Sequence, residues 1–249
     1  VGCPGWIERR RTEESNGEEE MIVAEIGMNG MGSMGLNKQL IKNAKDGGAA
    51  LAKFQLFSPE KLYPIDSDLF KNAKKCELSF QDAKELFDYG KEIGIEVFFS
   101  VFDVERVRWC EEIGVLRYKV AFSQRCNYDL FQVLPLDKPI IASTTFDDYR
   151  WVAGCVDYLY CISKYPSTLK DLDHRFANCF GEDEDIEFAG FSDHTIGLDA
   201  SKIALARGAR IIEKHFCLDH NTGVDAPWSM DLKELKELVR WEKICQEIL

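Results

Sequence analysis

Four side chains stand where they could act on a phosphorylated, metal-bound substrate. His194 closes Phe191-Ser192-Asp193-His194-Thr195, and His215 closes the Glu213-Lys214-His215 run that precedes Phe216. Each follows a short apolar run that reads as a β-strand, and residues 197–207 between them read as a helix. Two successive parallel strands ending in histidine bring two imidazoles to one rim, where they can share a divalent ion. The plainer alternative is that each ring hydrogen-bonds a loop. Lys53 and Lys119 lie inside apolar strand-like runs, where an ammonium is costly unless it reaches a partner. Singly, either could snorkel to the rim or pair with a carboxylate such as Glu25 or Glu213. Together, with hydroxyls from Ser143, Ser163 and Ser192, they form a phosphate cradle of point charges and directed donors.

The elements that must position these groups follow from hydrophobic periodicity. Apolar runs at 22–26, 50–54, 96–100, 117–121, 139–142, 157–162, 187–191 and 210–212 are expected strands. Residues 36–46, 80–93, 104–113, 197–207 and 232–248 are expected helices. Eight β-then-α units within 249 residues point to an α/β fold of the (β/α)8 TIM-barrel type, with an open doubly wound sheet as the competing architecture. Gly30, Gly32 and Gly35 do not reproduce the glycine spacing of a dinucleotide or Walker loop. Polar residues sit at every expected strand end. These are Glu25; Lys53 and Gln55; Ser100 and Asp103; Lys119; Ser143 and Thr144; Ser163 and Tyr165; Ser192 to His194; and Glu213 to His215. In a barrel those ends converge on one mouth, the usual place for chemistry in this fold.

A net charge of -12 disfavours non-specific binding of nucleic acid, which needs cationic surface to displace counterions. Nine cysteines, an odd number with no C-x-x-C pair, fit a reducing cytoplasm better than a disulfide framework. Cys217, two residues past His215, reads as packing. No apolar run approaches the roughly 18 residues of a membrane span, so no membrane association is expected. Residues 1–20 are polar and turn-rich and read as a flexible arm, which leaves 21–249 as the barrel domain.

The blocks Ala24-Glu25-Ile26-Gly27, Lys53-Phe54-Gln55, Tyr118-Lys119-Val120-Ala121, Ser192-Asp193-His194-Thr195 and Glu213-Lys214-His215-Phe216 resemble the sialic acid synthase family. Residues 161–166 and Gly223-Val224-Asp225 match it more weakly. That family includes N-acetylneuraminate synthase and relatives that make legionaminic acid, pseudaminic acid and spore-coat sugars. The resemblance runs from about residue 21 to the C-terminus, and it implies condensation of phosphoenolpyruvate with an open-chain N-acetylhexosamine. It further implies that His194 and His215 bind Mn2+ or Mg2+. Lys53, Lys119, Ser100, Ser143, Ser163 and Ser192 would hold the phosphate, and Glu25, Gln55, Tyr165 and Asp225 would face the sugar acceptor. Catalytic roles would fall to Glu25, Lys53, Lys119 and the position of Gln124.

The departures fall on the acceptor half. The family usually continues His-Asn-Gly after its asparagine, whereas this chain has Gly30-Met31-Gly32 after Asn29. Phe122 and Gln124 stand where the family has a small hydroxyl residue and an acid, and glutamine cannot exchange a proton as a carboxylate does. The chain stops at Leu249, so the family's C-terminal antifreeze-like domain is expected to be absent. Other readings are a phosphoenolpyruvate-dependent aldol synthase with a different aldose, a lyase running the reverse cleavage, and a sugar- or phosphate-binding barrel without turnover. A homo-oligomer is compatible with all of them.

Overall fold

A computed structural model of the chain describes residues 21–148, 156–181 and 188–248. The arm expected over residues 1–20 lies outside the described residues. Eight parallel strands close on themselves: β1 (Met21–Glu25), β2 (Leu51–Leu56), β3 (Glu96–Val101), β4 (Tyr118–Val120), β5 (Ile140–Thr144), β6 (Val156–Cys161), β7 (Gly190–Asp193) and β8 (Ile211–His215). Pairing of β1 with β8, Met21 beside Ile211 through Glu25 beside His215, closes the barrel and excludes the open sheet.

Strand residues alternate between two apolar environments, which is why these runs carry little polar alternation. Ile22, Ala24, Phe54, Phe99, Tyr118, Val120 and Phe191 face outward into the sleeve beneath the helices. Val23, Leu51, Phe98, Ile141, Leu159 and Ile211 form a separate cluster that plugs the barrel interior. Around the outside run α1 (Met34–Gly47), α2 (Pro59–Leu62), α3 (Asp68–Cys76), α4 (Phe80–Ile93), α5 (Val104–Ile113), α6 (Tyr128–Val133), α7 (Asp199–Ala206) and α8 (Leu232–Ile248). Their limits follow local chemistry. Ser79 and Asp82 form a reciprocal capping box at the start of α4, and Gly94, with φ of 77°, ends it in the left-handed conformation.

Three expectations need revision. Gln55, Ser143, Thr144, Ser192, Asp193 and Glu213 to His215 lie inside the strands rather than after them. The ladder continues under these polar groups because buried partners meet most of them, inside the barrel for Ser143, Ser192 and Glu213 and on its outer face for Asp193 and Lys214. The strand expected at 187–191 runs instead from Gly190 to Asp193; residues 182–187 lie outside the described residues. Between β6 and β7 the described residues form 3-10 turns, Leu169–Asp171 and Phe176–Asn178, in place of an α-helix. Phe176 fills the space a helix would cover, packing against Tyr160, Phe180 and Phe191.

Candidate active site

Above the apolar plug, toward the C-terminal ends of the strands, the interior turns polar. Lys53 Nζ lies 2.7 Å from Ser100 Oγ, 2.6 Å from Glu25 Oε2 and 3.3 Å from Glu213 Oε2. Lys119 Nζ lies 2.7 Å from Ser143 Oγ, 3.0 Å from the Val120 carbonyl and 3.7 Å from Glu213 Oε1. The Ser192 hydroxyl donates to Glu213 Oε1 at 2.9 Å, and the Gln55 amide donates to Glu25 Oε1 at 2.7 Å. All of these side chains except Gln55 are buried. One carboxylate, Glu213, therefore bridges two ammoniums, and each ammonium holds its own serine.

Burial alone would raise the Glu213 carboxyl, but the Lys119 and Lys53 charges outweigh it and hold the group well below the usual carboxylate range. The two lysines diverge. Burial would lower Lys53, yet Glu213 and Glu25 carry it above its ordinary value. For Lys119 burial prevails, with the Lys53 charge beside it, and the ammonium is pulled down. Burial pushes the neighbouring Cys161 thiol up to about 12, so it is an uncharged wall residue.

The histidines lie at the same mouth with ring centroids 5.5 Å apart. His194 Nδ1 is 2.9 Å from the Ile162 carbonyl, and His215 Nδ1 is 3.3 Å from Asp225 Oδ2. The Ile162 carbonyl and the Asp225 carboxylate thus each stand beside one Nδ1, which leaves both Nε2 atoms without a named partner among the described contacts. Burial, followed by the charge of His215, pushes His194 down to about 4, leaving a neutral imidazole ready to ligate. Asp225 does the reverse for His215, raising it against the pull of burial. Gly27, with φ of 52°, forms the floor: a Cβ there would lie 2.9 Å from Asp225 Oδ2, 3.1 Å from Glu25 Oε1 and 3.3 Å from His215 Nδ1. Carboxylate and imidazole atoms thus crowd a position that only glycine leaves open, and the two neighbouring imidazoles with Asp225 beside them are donor types that fit a divalent cation.

Two buried networks hold the site in place. The Asn29 amide donates to the Phe216 carbonyl and to Ser229 Oγ, both at 2.9 Å, while its oxygen accepts from Asp225 N at 2.9 Å. Asn29 thereby ties the loop after β1 to the loop that carries Asp225. Gly223, with φ of 122°, is required beside it, because a Cβ would meet Asn29 Oδ1 at 2.3 Å. On the outer face of the barrel, Lys214 Nζ lies 3.0 Å from Asp193 Oδ2 and donates to the Thr195 carbonyl at 2.7 Å. Asp193 also accepts from Thr195 and Ser201, which clamps the peptide around His194.

Of the residues expected from sequence, Glu25, Lys53, Gln55, Lys119, Ser100, Ser143, Ser192, His194, His215 and Asp225 meet around one cavity. Tyr165 joins them at the rim, 48% exposed, with its ring 4.3 Å from that of His194. Ser163 is exposed and hydrogen-bonds Tyr165 rather than the lysines. Gln124 is not joined to the cluster by any described contact; its side-chain oxygen accepts from Asn127 at 2.9 Å within its own turn. Sequence reasoning named Glu213 only as a possible carboxylate partner of a single lysine and missed that it bridges both, as it missed the latch role of Asn29. Glu213 was legible in principle, since it lies two residues before His215 and so shares its inward face. Asn29 was not, because all its partners are about 190 residues away. Cys217 is buried as expected. No helix among the described residues is long and apolar enough to cross a membrane.

Comparison with known proteins agrees with this geometry. The NeuB family model matches residues 40–249. An uncharacterised protein of Methanocaldococcus jannaschii is 34% identical over 246 residues, covering 94% of this chain and 73% of its own length. The N,N'-diacetyllegionaminic acid synthase of Legionella pneumophila is 29% identical over 259 residues, covering 92% and 72%. Among solved structures, the N-acetylneuraminic acid synthetase of Leptospira borgpetersenii, in complex with citrate, superposes with a TM-score of 0.81 at 27% identity, covering 93% of this chain and 85% of that one. With the family model matched over residues 40–249, the chain belongs to the NeuB family.

Proposed function

We propose that the chain condenses phosphoenolpyruvate with the open-chain aldehyde of an N-acetylhexosamine-type sugar, giving a sialic acid-like 2-keto sugar acid and phosphate. The observation that carries this reading is the meeting of two buried ammoniums, each with its own serine, and two imidazoles at one mouth. One cluster suits a phosphate and the other a divalent ion. The names of the Legionella and Leptospira relatives support the class of product.

His194 and His215 would hold Mn2+ or Mg2+, and a nitrogen-containing donor set favours Mn2+ over the oxygen-seeking Mg2+. Bound there, the ion supplies Lewis-acid polarisation of the acceptor aldehyde. Lys53, Lys119, Ser100, Ser143 and Ser192 bind the phosphate group, and Glu25, Gln55, Tyr165 and Asp225 line the acceptor side. C3 of phosphoenolpyruvate bonds to the aldehyde carbon, whose oxygen takes a proton to become a hydroxyl. Water adds at C2 with loss of a proton. The tetrahedral carbon then forms the ketone as its bond to the phosphate oxygen breaks. Charge grows on that leaving group, where preorganised ammoniums stabilise it most effectively. Glu213 keeps the two ammoniums from standing uncompensated before the substrate arrives.

The test is phosphate release from phosphoenolpyruvate with Mn2+ and a panel of N-acetylhexosamines. Acceptor-dependent release that chelation abolishes is expected. Tight phosphoenolpyruvate binding without release for any aldose would replace this reading with a binding barrel.

A further inference from the structure

A second group of metal-ligating side chains lies away from this cavity, in the loop that joins β8 to α8 and in the first turn of α8. His220 Nε2 is 3.3 Å from Glu234 Oε2 and 3.8 Å from Asp231 Oδ2, and one donor atom from each residue lies within 4.8 Å of the others. Among the described residues this is the one group of three such side chains that converges so closely. Metal–nitrogen and metal–oxygen bonds of about 2.0–2.1 Å in a tetrahedron place neighbouring donors roughly 3.3 Å apart, close to the spacing found here.

The donors are also preorganised. Asp231 Oδ1 accepts from Lys233 N at 2.8 Å and Glu234 N at 2.9 Å, which leaves Oδ2 turned toward His220. Glu234 Oε2 accepts from Asp231 N at 2.9 Å, which fixes that carboxylate over the same point. Asp219 accepts from the backbone N–H groups of Asn221 and Thr222, both at 2.8 Å, and shapes the turn that presents the imidazole. All three side chains are open to solvent, so an ion can enter and keep water in its remaining positions.

We propose that His220, Asp231 and Glu234 form an outer site for a borderline divalent cation of the Zn2+ or Co2+ type. One imidazole and two carboxylates suit such ions better than Mg2+, which favours an all-oxygen shell. The site stands at both ends of a short loop, His220 to Asp231, that carries Asp225, the partner of His215. An ion held there clips the ends of that loop together and favours its ordered form. It is thus a structural site, separate from the two histidines of the cavity, and it does not depend on the proposed reaction.

The test compares the wild-type chain with His220→Ala by Co2+ titration, read in the visible spectrum and by calorimetry, and by Zn2+-dependent melting. The wild-type chain should bind one more Co2+ than His220→Ala, and Zn2+ should raise its Tm by several degrees more than it raises that of the variant, which keeps only the cavity histidines. His194→Ala should retain the outer ion, and His220→Ala should retain whatever activity the wild-type chain has with saturating Mn2+. Equal Co2+ stoichiometry and affinity in the wild-type chain and His220→Ala would overturn the proposal, as would wild-type binding at this site too weak to detect at 100-fold excess Co2+. A failure to release phosphate from phosphoenolpyruvate would bear only on the cavity.

Discussion

At the N-terminal end of the barrel, Arg117 donates to both oxygens of Glu96 at 2.6 and 3.1 Å, and Arg210 lies 3.4 Å from Asp157. At the C-terminal mouth, Lys53 and Lys119 share Glu25 and Glu213 in a chain of contacts from 2.6 to 3.7 Å. Both ends are charged and inward, and the apolar plug of Val23, Leu51, Phe98, Ile141, Leu159 and Ile211 separates them. The difference lies in how well each charge is matched. A guanidinium forked onto a carboxylate satisfies both groups with fixed geometry, which suits a structural closure. The ammoniums at the mouth are point charges, each with a serine hydroxyl already beside it, and can exchange a carboxylate for a phosphate oxygen. Glu25 Oε2, Glu213 Oε2 and His215 Nδ1 are buried there without a well-formed hydrogen bond, whereas the Arg117–Glu96 pair is complete. A ligand arriving at the mouth can complete the bonds that its buried groups lack.

The largest test of this contrast is Lys53→Met. It strips Glu25 and Glu213 of their shared cation, so phosphate release should fall by about 10^2–10^3-fold. Denaturant unfolding should lose about 3–5 kcal/mol, the cost of a stranded buried charge. Arg117→Met at the opposite end should cost about 1–3 kcal/mol with kcat/KM unchanged; a comparable loss of turnover there would erase the distinction between the two ends.

Acid sensitivity separates them further. Glu213 titrates below its ordinary 4.5, near 2, because the two ammoniums outweigh burial. The unfolded chain therefore takes up this proton first as pH falls. The stabilisation is complete above pH 4.5 and is lost as pH drops toward about 2. A Tm profile for Glu213→Gln should be flatter across that window than the wild-type profile. The smallest effect is expected for Gln124→Ala, whose amide is engaged by Asn127; kcat/KM should change by less than about threefold. A hundredfold loss would instead bring Gln124 into the reacting cluster.

Much of this site was legible because a barrel strand obeys simple rules. Period-two alternation puts Glu213 and His215 on one face, and strand order puts every C-terminal end at one mouth. Gln124 and Ser163 escaped those rules because both follow their strands in loops, where side-chain direction depends on the local turn. The 3-10 turns after β6 were equally hidden, since residues 162–181 show no periodicity and are held by an aromatic cluster assembled from β6, β7 and the loop itself. His220 carried no signal at all: its partners sit 11 and 14 residues later, just before and within the first turn of a helix whose start faces back onto the loop.

The order of residues alone determined the eightfold repeat, the inward lysines and the two rim histidines, because hydrophobic period and strand polarity are local properties. Only the tertiary structure decided that Glu213 bridges both ammoniums, that Asn29 latches Asp225 beneath His215, and that Gln124 turns to its neighbour. Those outcomes depend on the register with which the closing strand meets the first. Barrel closure fixes that register through the summed packing of all eight strands, and no single segment encodes it.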